Sequence, residues 1–204
     1  GRQEQRGTER GGQSQSTADE MSAQAMQKAK DELEQASQEQ VNDLAKKIAD
    51  QLEQQIQDGA IELESLGQQV IIRIRENGSF SAGSAFLQPQ FKPILREIGT
   101  LLAEVPGEIE ISGHSDSQQI SNELYRSNWD LSAQRAVAVA EEIRTAPGFD
   151  EKRMSVVGKA DTAPLSTNAN PANRSQNRRV EISINQGKPM FSKPISVVES
   201  STTG

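Results

Sequence analysis

Residues 108–136 have the sequence EIEISGHSDSQQISNELYRSNWDLSAQRA, and the predicted fold is built outward from this segment. Its first residues alternate charged and apolar side chains, which predicts a β-strand over 108–113. After a polar loop, Ser127 is followed three residues later by Asp130, a spacing that resembles a capping box. We therefore predict that a helix begins at Trp129 and continues to Thr145.

The flanking sequence predicts further elements on both sides of this strand–loop–helix unit. It predicts further strands over 68–75, 153–158 and 179–184, and a second long helix that begins at Pro89. The order β-α-β-α-β-loop-β indicates an α+β fold, a small mixed sheet with two long helices on one face. The other face is more polar, as expected if it meets solvent or a partner.

Composition divides the 204-residue chain into four parts. Residues 1–66 hold 7 Lys+Arg and 14 Asp+Glu and no aromatic residue, whereas the remainder holds 15 of each charge and all seven aromatics. We predict disorder for 1–17, an acidic helical linker over 18–66, a compact domain over 67–186 and a tail over 187–204.

The acidic linker has the composition of a helix. Residues 18–58 contain no Gly or Pro and many good helix formers, and Asp58-Gly59 is a plausible stop. Its apolar residues keep to one narrow stripe. Such a stripe is too thin for a buried helix and suits a coiled-coil seam or a spacer; the alternative is a partly disordered linker.

Several classes of function are disfavoured by composition. The chain has no Cys, one His and a net charge of −7. These numbers exclude disulfides, thiolate chemistry and multi-histidine metal sites, argue against non-specific nucleic-acid binding, and give no reason to expect a metal or cofactor. No stretch approaches the apolar length of a membrane span. Because the chain opens with a hydrophilic segment at Gly1, we interpret it as a fragment or mature portion.

The densest polar cluster follows the strand over 108–113. Asp116 lies just past this strand, and Arg135 lies one turn into the following helix, on the same helix face as Leu131. Strand ends and helix starts of consecutive elements meet, so both charges border one cleft. That arrangement fits a zwitterion, with its ammonium on Asp116 and its carboxylate on Arg135. The alternative is that Asp116 and Arg135 pair with each other.

The neighbouring residues do not indicate catalysis. His114, Ser115 and Asp116 are adjacent on extended chain and point to opposite sides, so they cannot form a nucleophile–base relay. We interpret His114 as a hydrogen-bonded structural residue that, with Ser115, supports the site. Of Arg178 and Arg179, one is expected to support the acid of the cleft; the alternative is ordinary solvated charge at a strand edge.

Three motifs in order carry a resemblance to a known family. GHSD at 113–116, LSAQRAVAVAEEI at 131–143 and NRRVEI at 177–182 resemble the motifs of the OmpA-like peptidoglycan-binding family. The resemblance covers about residues 70–186.

The resemblance implies specific site residues. The family's Asp and Arg, which hold the zwitterionic end of diaminopimelate in peptidoglycan stem peptides, fall on Asp116 and Arg135. The family Asn and Leu fall on Asn128 and Leu131. Ser115 stands where Thr is usual, and the loop after Asp116 is longer than in outer-membrane members.

The segment SNWDLSAQRA is more similar to the flagellar stator B subunits, and the Gln-rich acidic N-terminal region resembles the sodium-type subunit PomB more than MotB. This implies the periplasmic region of a single-pass inner-membrane protein, involved in motility and chemotaxis, that is not an enzyme. It also implies a homodimer whose missing membrane helix pairs with a stator A subunit. The alternatives are another OmpA-like wall-anchoring protein, such as a lipoprotein or outer-membrane protein, and a peptidoglycan hydrolase.

Overall fold

The computed structural model describes residues 13–187 of the chain. Five helices and five strands are present in this part. They are, in chain order, α1 Gln13–Gln51, α2 Glu53–Gln57, β1 Ile61–Leu66, β2 Gln69–Arg75, α3 Lys92–Ala103, β3 Glu108–His114, α4 Asn128–Ile143, β4 Met154–Gly158, α5 Pro171–Asn177 and β5 Arg179–Asn185. Single turns of 3-10 helix at Pro89–Phe91 and Glu151–Arg153 precede α3 and β4.

The strands form one mixed sheet in the order β1-β2-β5-β3-β4. β3 and β4 are parallel, and the other neighbours are antiparallel. Ile182 of β5 lies opposite Ile72 of β2 on one side and Ile111 of β3 on the other. Because side chains alternate along a strand, this register gathers the branched apolar residues on one face of the sheet.

The long helices pack on this apolar face. α4 packs on β3 and β4, α3 packs on α4, and α1 packs on β1 and β2. Their buried residues recur at helical spacing. They include Val41, Leu44 and Ile48 of α1, Leu95, Ile98 and Leu102 of α3, and Ala136, Val139 and Ile143 of α4. The predicted α+β class, a small mixed sheet with α3 and α4 on one face, is confirmed, and the end of α1 is a third helix on that face.

β1 is an additional strand that lies within the predicted linker. Gly67, at a φ of +56°, makes the tight turn that returns the chain from Leu66 to Gln69 of β2. The alternation of Ile61 and Leu63 with two glutamates was the local signal for this strand. The sheet therefore begins before residue 67.

The end of α1 also belongs to the core. Val41, Leu44 and Ile48 of α1, and Leu52 directly after it, are at most 2% exposed, although the stripe was predicted to be too narrow for burial. A narrow stripe suffices here because the helix covers only the edge of the sheet at β1 and β2. Residues 16–36 are exposed, so this first part of α1 extends beyond the core.

The chain ends differ from the predicted divisions in one respect. α1 begins at Gln13, so residues 13–17 are helical and not disordered as predicted. The rest of the predicted disordered segment, 1–12, and nearly all of the predicted tail, 188–204, lie outside the described residues. Between residues 13 and 187, no helix combines the length and apolar character that a membrane span requires.

Candidate functional site

A cleft opens at the edge of the sheet where β2 and β3 end and β5 begins. α4 closes one side, and the loops after β2 and β3 form the rest. The cleft has a volume of about 340 Å³. It is lined by Glu76, Ala82, Gly83, Ser115, Asp116, Gln118, Gln119, Ile120, Leu131, Arg135 and Arg178.

The first turn of α4 is held as the capping pattern predicted. Ser127 is the N-cap, and its side chain accepts a hydrogen bond from the backbone N–H of Asp130. The Asp130 carboxylate in turn accepts a 3.0 Å bond from the backbone N–H of Arg126. These bonds satisfy N–H groups that a helix start leaves free, and they orient Leu131 and Arg135.

Arg135 is buried at the base of the cleft, with 2% exposure. Its Nε donates to the Ser84 carbonyl at 2.8 Å, and its Nη1 lies 2.6 Å from Oε2 of Glu76. The guanidinium carbon lies 5.1 Å from the centre of the Phe80 ring. Its Nη2 is buried and has no hydrogen-bond partner in the described residues. A buried donor without an acceptor is costly, which makes this atom a candidate contact for a ligand.

Asp116 is 4% exposed and lies on the other side of the cleft. Its Oδ1 accepts from the backbone N–H of Gln118 at 3.0 Å, and its Oδ2 lies 2.6 Å from Nη1 of Arg178. Burial acts to lower the pKa of Arg178, but Asp116 and Glu76 outweigh it, and the pKa is raised above its usual value. Arg178 is thus the arginine that supports the acid.

Glu76 is the residue of the cleft that the sequence analysis missed. It directly follows β2, and its carboxylate bridges Arg135 and Arg178, with Oε1 3.1 Å from Nε of Arg178. Asp116 and Arg135 therefore do not pair with each other; Glu76 and Arg178 lie between them. The only local signal was an acid between a strand and the Asn77-Gly78 turn.

Of the other predicted residues, Leu131 and Ser115 line the cleft, whereas Asn128 does not line it and contacts the lining residue Gln118. Leu131 is buried and lines the cleft. The Asn128 Nδ2 donates to the carbonyl of Gln118 at 2.9 Å, while its Oδ1 is buried without a partner in the described residues. Ser115 lines the cleft, and its hydroxyl donates to the Asp116 carbonyl.

His114 and Arg179 are placed elsewhere, on the helix-free face of the sheet. Arg179 pairs with Glu181 at 3.1 Å, and His114 Nε2 lies 2.9 Å from the Ser112 hydroxyl. Burial, and then the charge of Arg179, lower the pKa of His114 to about 4. The structure thus gives His114 the hydrogen-bonded structural position expected of it. Neither residue lines the cleft, although both were among the predicted supporting residues.

The cleft combines two cations and two anions, of which Arg135 and Asp116 are almost fully buried. Its charged lining residues, Arg135, Arg178, Glu76 and Asp116, sum to no net charge. No group of three or more His, Asp or Glu side chains in residues 13–187 could hold a metal ion. The site combines an unpartnered guanidinium nitrogen of Arg135 with the Asp116 carboxylate, groups that suit a small charged ligand.

The OmpA family model matches residues 79–178, a range that includes Asp116, Arg135 and Arg178. The chain belongs to the OmpA family. Glu76 lies three residues before this OmpA match. The family resemblance that the sequence motifs indicated is confirmed.

Three known proteins illustrate how this OmpA family member relates to others. The chain is 37% identical over 119 residues to the uncharacterized protein YtxE of Bacillus subtilis, covering 58% of this chain and 49% of that protein. It is 34% identical over 125 residues to Motility protein B of the same organism, covering 61% and 48%. It is also similar to the structure of the cell wall anchor of the T6SS from Pseudomonas aeruginosa, with a TM-score of 0.62 and 34% identity, covering 68% and 96%.

The chain spans about half the length of the two Bacillus subtilis proteins that it matches. The similarity therefore concerns the OmpA-like part, and the activity of the whole protein is treated as a proposal below.

Proposed function

We propose that this chain is a non-catalytic peptidoglycan-binding domain whose cleft holds the zwitterionic end of a diaminopimelate stem peptide. The ligand carboxylate binds Arg135, and the ligand ammonium binds Asp116. Membership of the OmpA family and the similarity to a cell wall anchor support this proposal.

The single observation that carries the proposal is the Nη2 atom of Arg135. It is buried, it has no partner in the described residues, and its guanidinium lines the same cleft as Asp116. A carboxylate is the acceptor that guanidinium geometry prefers. An ammonium on the same ligand carbon then faces a carboxylate whose oxygens can each accept further bonds.

The contacts of the site support binding and not hydrolysis. The Ser115 hydroxyl donates to the neighbouring carbonyl of Asp116, and His114 lies on the helix-free face of the sheet. No described residue of the cleft therefore pairs a nucleophile with a base, as covalent hydrolysis requires. We propose that the protein is not an enzyme.

At the level of the whole protein, we propose the periplasmic region of a flagellar stator B subunit. The similarity to Motility protein B supports this role. In that role a membrane helix outside this sequence anchors the subunit in the inner membrane as a single-pass protein and pairs with a stator A subunit. Binding to the wall then holds the stator in place around the rotor. The acidic, Gln-rich N-terminal region favours the sodium-type subunit.

Anchoring of this kind requires more than one domain. Two or three charge-assisted hydrogen bonds contribute about 3–6 kcal/mol in total. This corresponds to a dissociation constant of roughly tens of micromolar to several millimolar. We therefore propose a homodimer, because two linked domains raise the strength of attachment through avidity.

A second candidate function is anchoring a different protein assembly of the cell envelope to the wall. The observation that favours it is the 34% identity to the T6SS cell wall anchor, 96% of which is covered by the match. Motility separates the two: a full-length Asp116→Ala strain that swims normally would favour the second candidate over the stator.

Sedimentation with purified peptidoglycan tests the binding function. We expect Asp116→Ala and Arg135→Ala to lose at least tenfold in affinity while circular dichroism shows a folded domain. Arg96→Ala is the matched control, since Arg96 is an exposed arginine that pairs with Glu142 away from the cleft. Unchanged sedimentation of both cleft variants would reject the assignment.

A further inference from the structure

Glu76 gives the cleft a second carboxylate in addition to that of Asp116. Its side chain is 13% exposed and contacts both arginines of the site, Arg135 at 2.6 Å and Arg178 at 3.1 Å. The backbone N–H of Glu76 also donates to the carbonyl of Arg178. This carboxylate is therefore held in place by the pairing of β2 with β5.

Resting on the proposed function, we propose that Glu76 is the specificity-determining residue that makes the cleft select zwitterions and reject simple anions.

The four charged side chains of the cleft compensate one another. Arg135 and Arg178 contribute two positive charges, and Glu76 and Asp116 contribute two negative charges. The other lining side chains are neutral. A ligand that brings only a carboxylate would leave the cleft with an excess negative charge in a setting that water screens weakly. A ligand that also brings an ammonium leaves the cleft balanced.

Glu76 also limits which atoms of Arg135 a ligand can contact. Glu76 contacts Nη1 and the Ser84 carbonyl accepts from Nε, so Nη2 is the nitrogen of Arg135 that has no partner in the described residues. A ligand carboxylate therefore contacts an arginine whose charge is already compensated. Its binding must depend on the second contact, between the ammonium and Asp116.

Without the charge of Glu76, the cleft would carry one excess positive charge. Any carboxylate would then be attracted to Arg135, whether or not an ammonium accompanied it. Glu76→Gln makes this change with almost no change in shape, and the amide oxygen can still accept from a guanidinium.

The test uses three stem tripeptides, measured by calorimetry with the full chain. The first carries diaminopimelate, the second carries diaminopimelate acetylated on its distal amine, and the third carries lysine. The acetylated peptide keeps the carboxylate without the ammonium, and the lysine peptide keeps the ammonium without the carboxylate. We expect the wild type to prefer the first peptide to the second by at least tenfold, and Glu76→Gln to reduce that preference about tenfold.

The matched control is Glu181→Gln. Glu181 is 15% exposed and also contacts two arginines, Arg73 at 3.0 Å and Arg179 at 3.1 Å, but it lies on the helix-free face of the sheet. We expect this variant to keep the wild-type preference. A preference that shifts equally in both variants would overturn the proposal.

A double variant keeps the test decisive if the excess positive charge left by Glu76→Gln prevents folding. Glu76→Gln with Arg178→Gln removes one charge of each sign, so the cleft is again balanced. We expect it to retain a preference for the zwitterionic peptide, and loss of that preference would overturn the role of charge balance. If the wild type binds none of the peptides, the proposed function itself fails; if it binds them and Glu76→Gln keeps the full preference, only this inference fails.

Discussion

Gly113 of β3 lies directly beneath Ser132 of α4, so closely that a Cβ on Gly113 would lie 1.8 Å from the Ser132 carbonyl oxygen. Gly158 of β4 makes a similar approach to Ala133. Glycine is required at position 113 by this close packing, which brings the start of α4 against the end of β3. The distance between Arg135 and Asp116 across the cleft depends on this contact.

Gly113→Ala is expected to push α4 away from the sheet and to weaken peptidoglycan binding at least tenfold, because overpacking displaces the helix that carries Arg135. Such overpacking costs about 1–3 kcal/mol of stability, measurable by thermal unfolding.

Gly148→Ala is the control for this effect. Gly148 has a φ of +77° and open space around it, so the variant strains the backbone without contacting the cleft. It should lower stability and leave binding intact. Normal binding by Gly113→Ala would show that the site tolerates movement of α4.

The two parts of α1 are expected to differ in their effect on stability. Ile48→Ala removes a fully buried side chain and should cost about 2–5 kcal/mol in denaturant unfolding. Leu33→Ala, at a residue that is 61% exposed, should change stability by less than about 0.5 kcal/mol.

Truncation tests the same division of α1. A chain that starts at residue 37 should unfold at the temperature of the full chain, whereas one that starts at residue 59 lacks Val41, Leu44, Ile48 and Leu52 and should not fold stably. A stable fold in the shorter chain would mean that the end of α1 contributes little to the core.

Stability should depend on the protonation of His114. Its pKa is lowered from 6.5 to about 4 by burial and then by the charge of Arg179, with Lys159 and Arg73 adding to this effect and Glu181 opposing it. The unfolded state therefore binds a proton that the folded state does not, and stability is lost as the pH falls from about 6.5 to 4.

We expect His114→Gln to lose less stability over this pH range than the wild type, by on the order of 2 kcal/mol. Denaturant unfolding at several pH values measures the difference. Glu181, whose pKa lies below its usual value, contributes to the loss at lower pH in both proteins. Parallel stability curves for the two proteins would contradict this account of His114.

Tyr125 links the loop after β3 to the loop after β2. Its buried hydroxyl accepts a 2.7 Å hydrogen bond from the backbone N–H of Ala85, next to the Ser84 carbonyl that accepts from Arg135. Tyr125→Phe leaves that N–H without its partner and should cost about 1–2 kcal/mol. A several-fold loss of peptidoglycan affinity should accompany it, and unchanged thermal unfolding would show that the loops are held together by other contacts.

Local sequence patterns were sufficient to predict the strand–loop–helix unit that carries Asp116 and Arg135. The alternation over 108–113, the cap at Ser127 and the spacing from Leu131 to Arg135 are properties of consecutive residues, so the strand–loop–helix unit follows from sequence alone. Because that unit is short, it also brings Asp116 and Arg135 to one cleft. The opposite orientation of His114 and Ser115 likewise follows from the alternation of an extended chain.

The contacts of Glu76 and the burial of the end of α1 depend on the tertiary structure. Glu76 is 40 residues from Asp116 and 102 from Arg178, and it reaches them only because β2 pairs with β5. Whether the stripe from Val41 to Leu52 is buried depends on the exposed sheet edge that β1 and β2 offer. Contacts between distant segments depend on strand order and helix docking, which local periodicity does not encode.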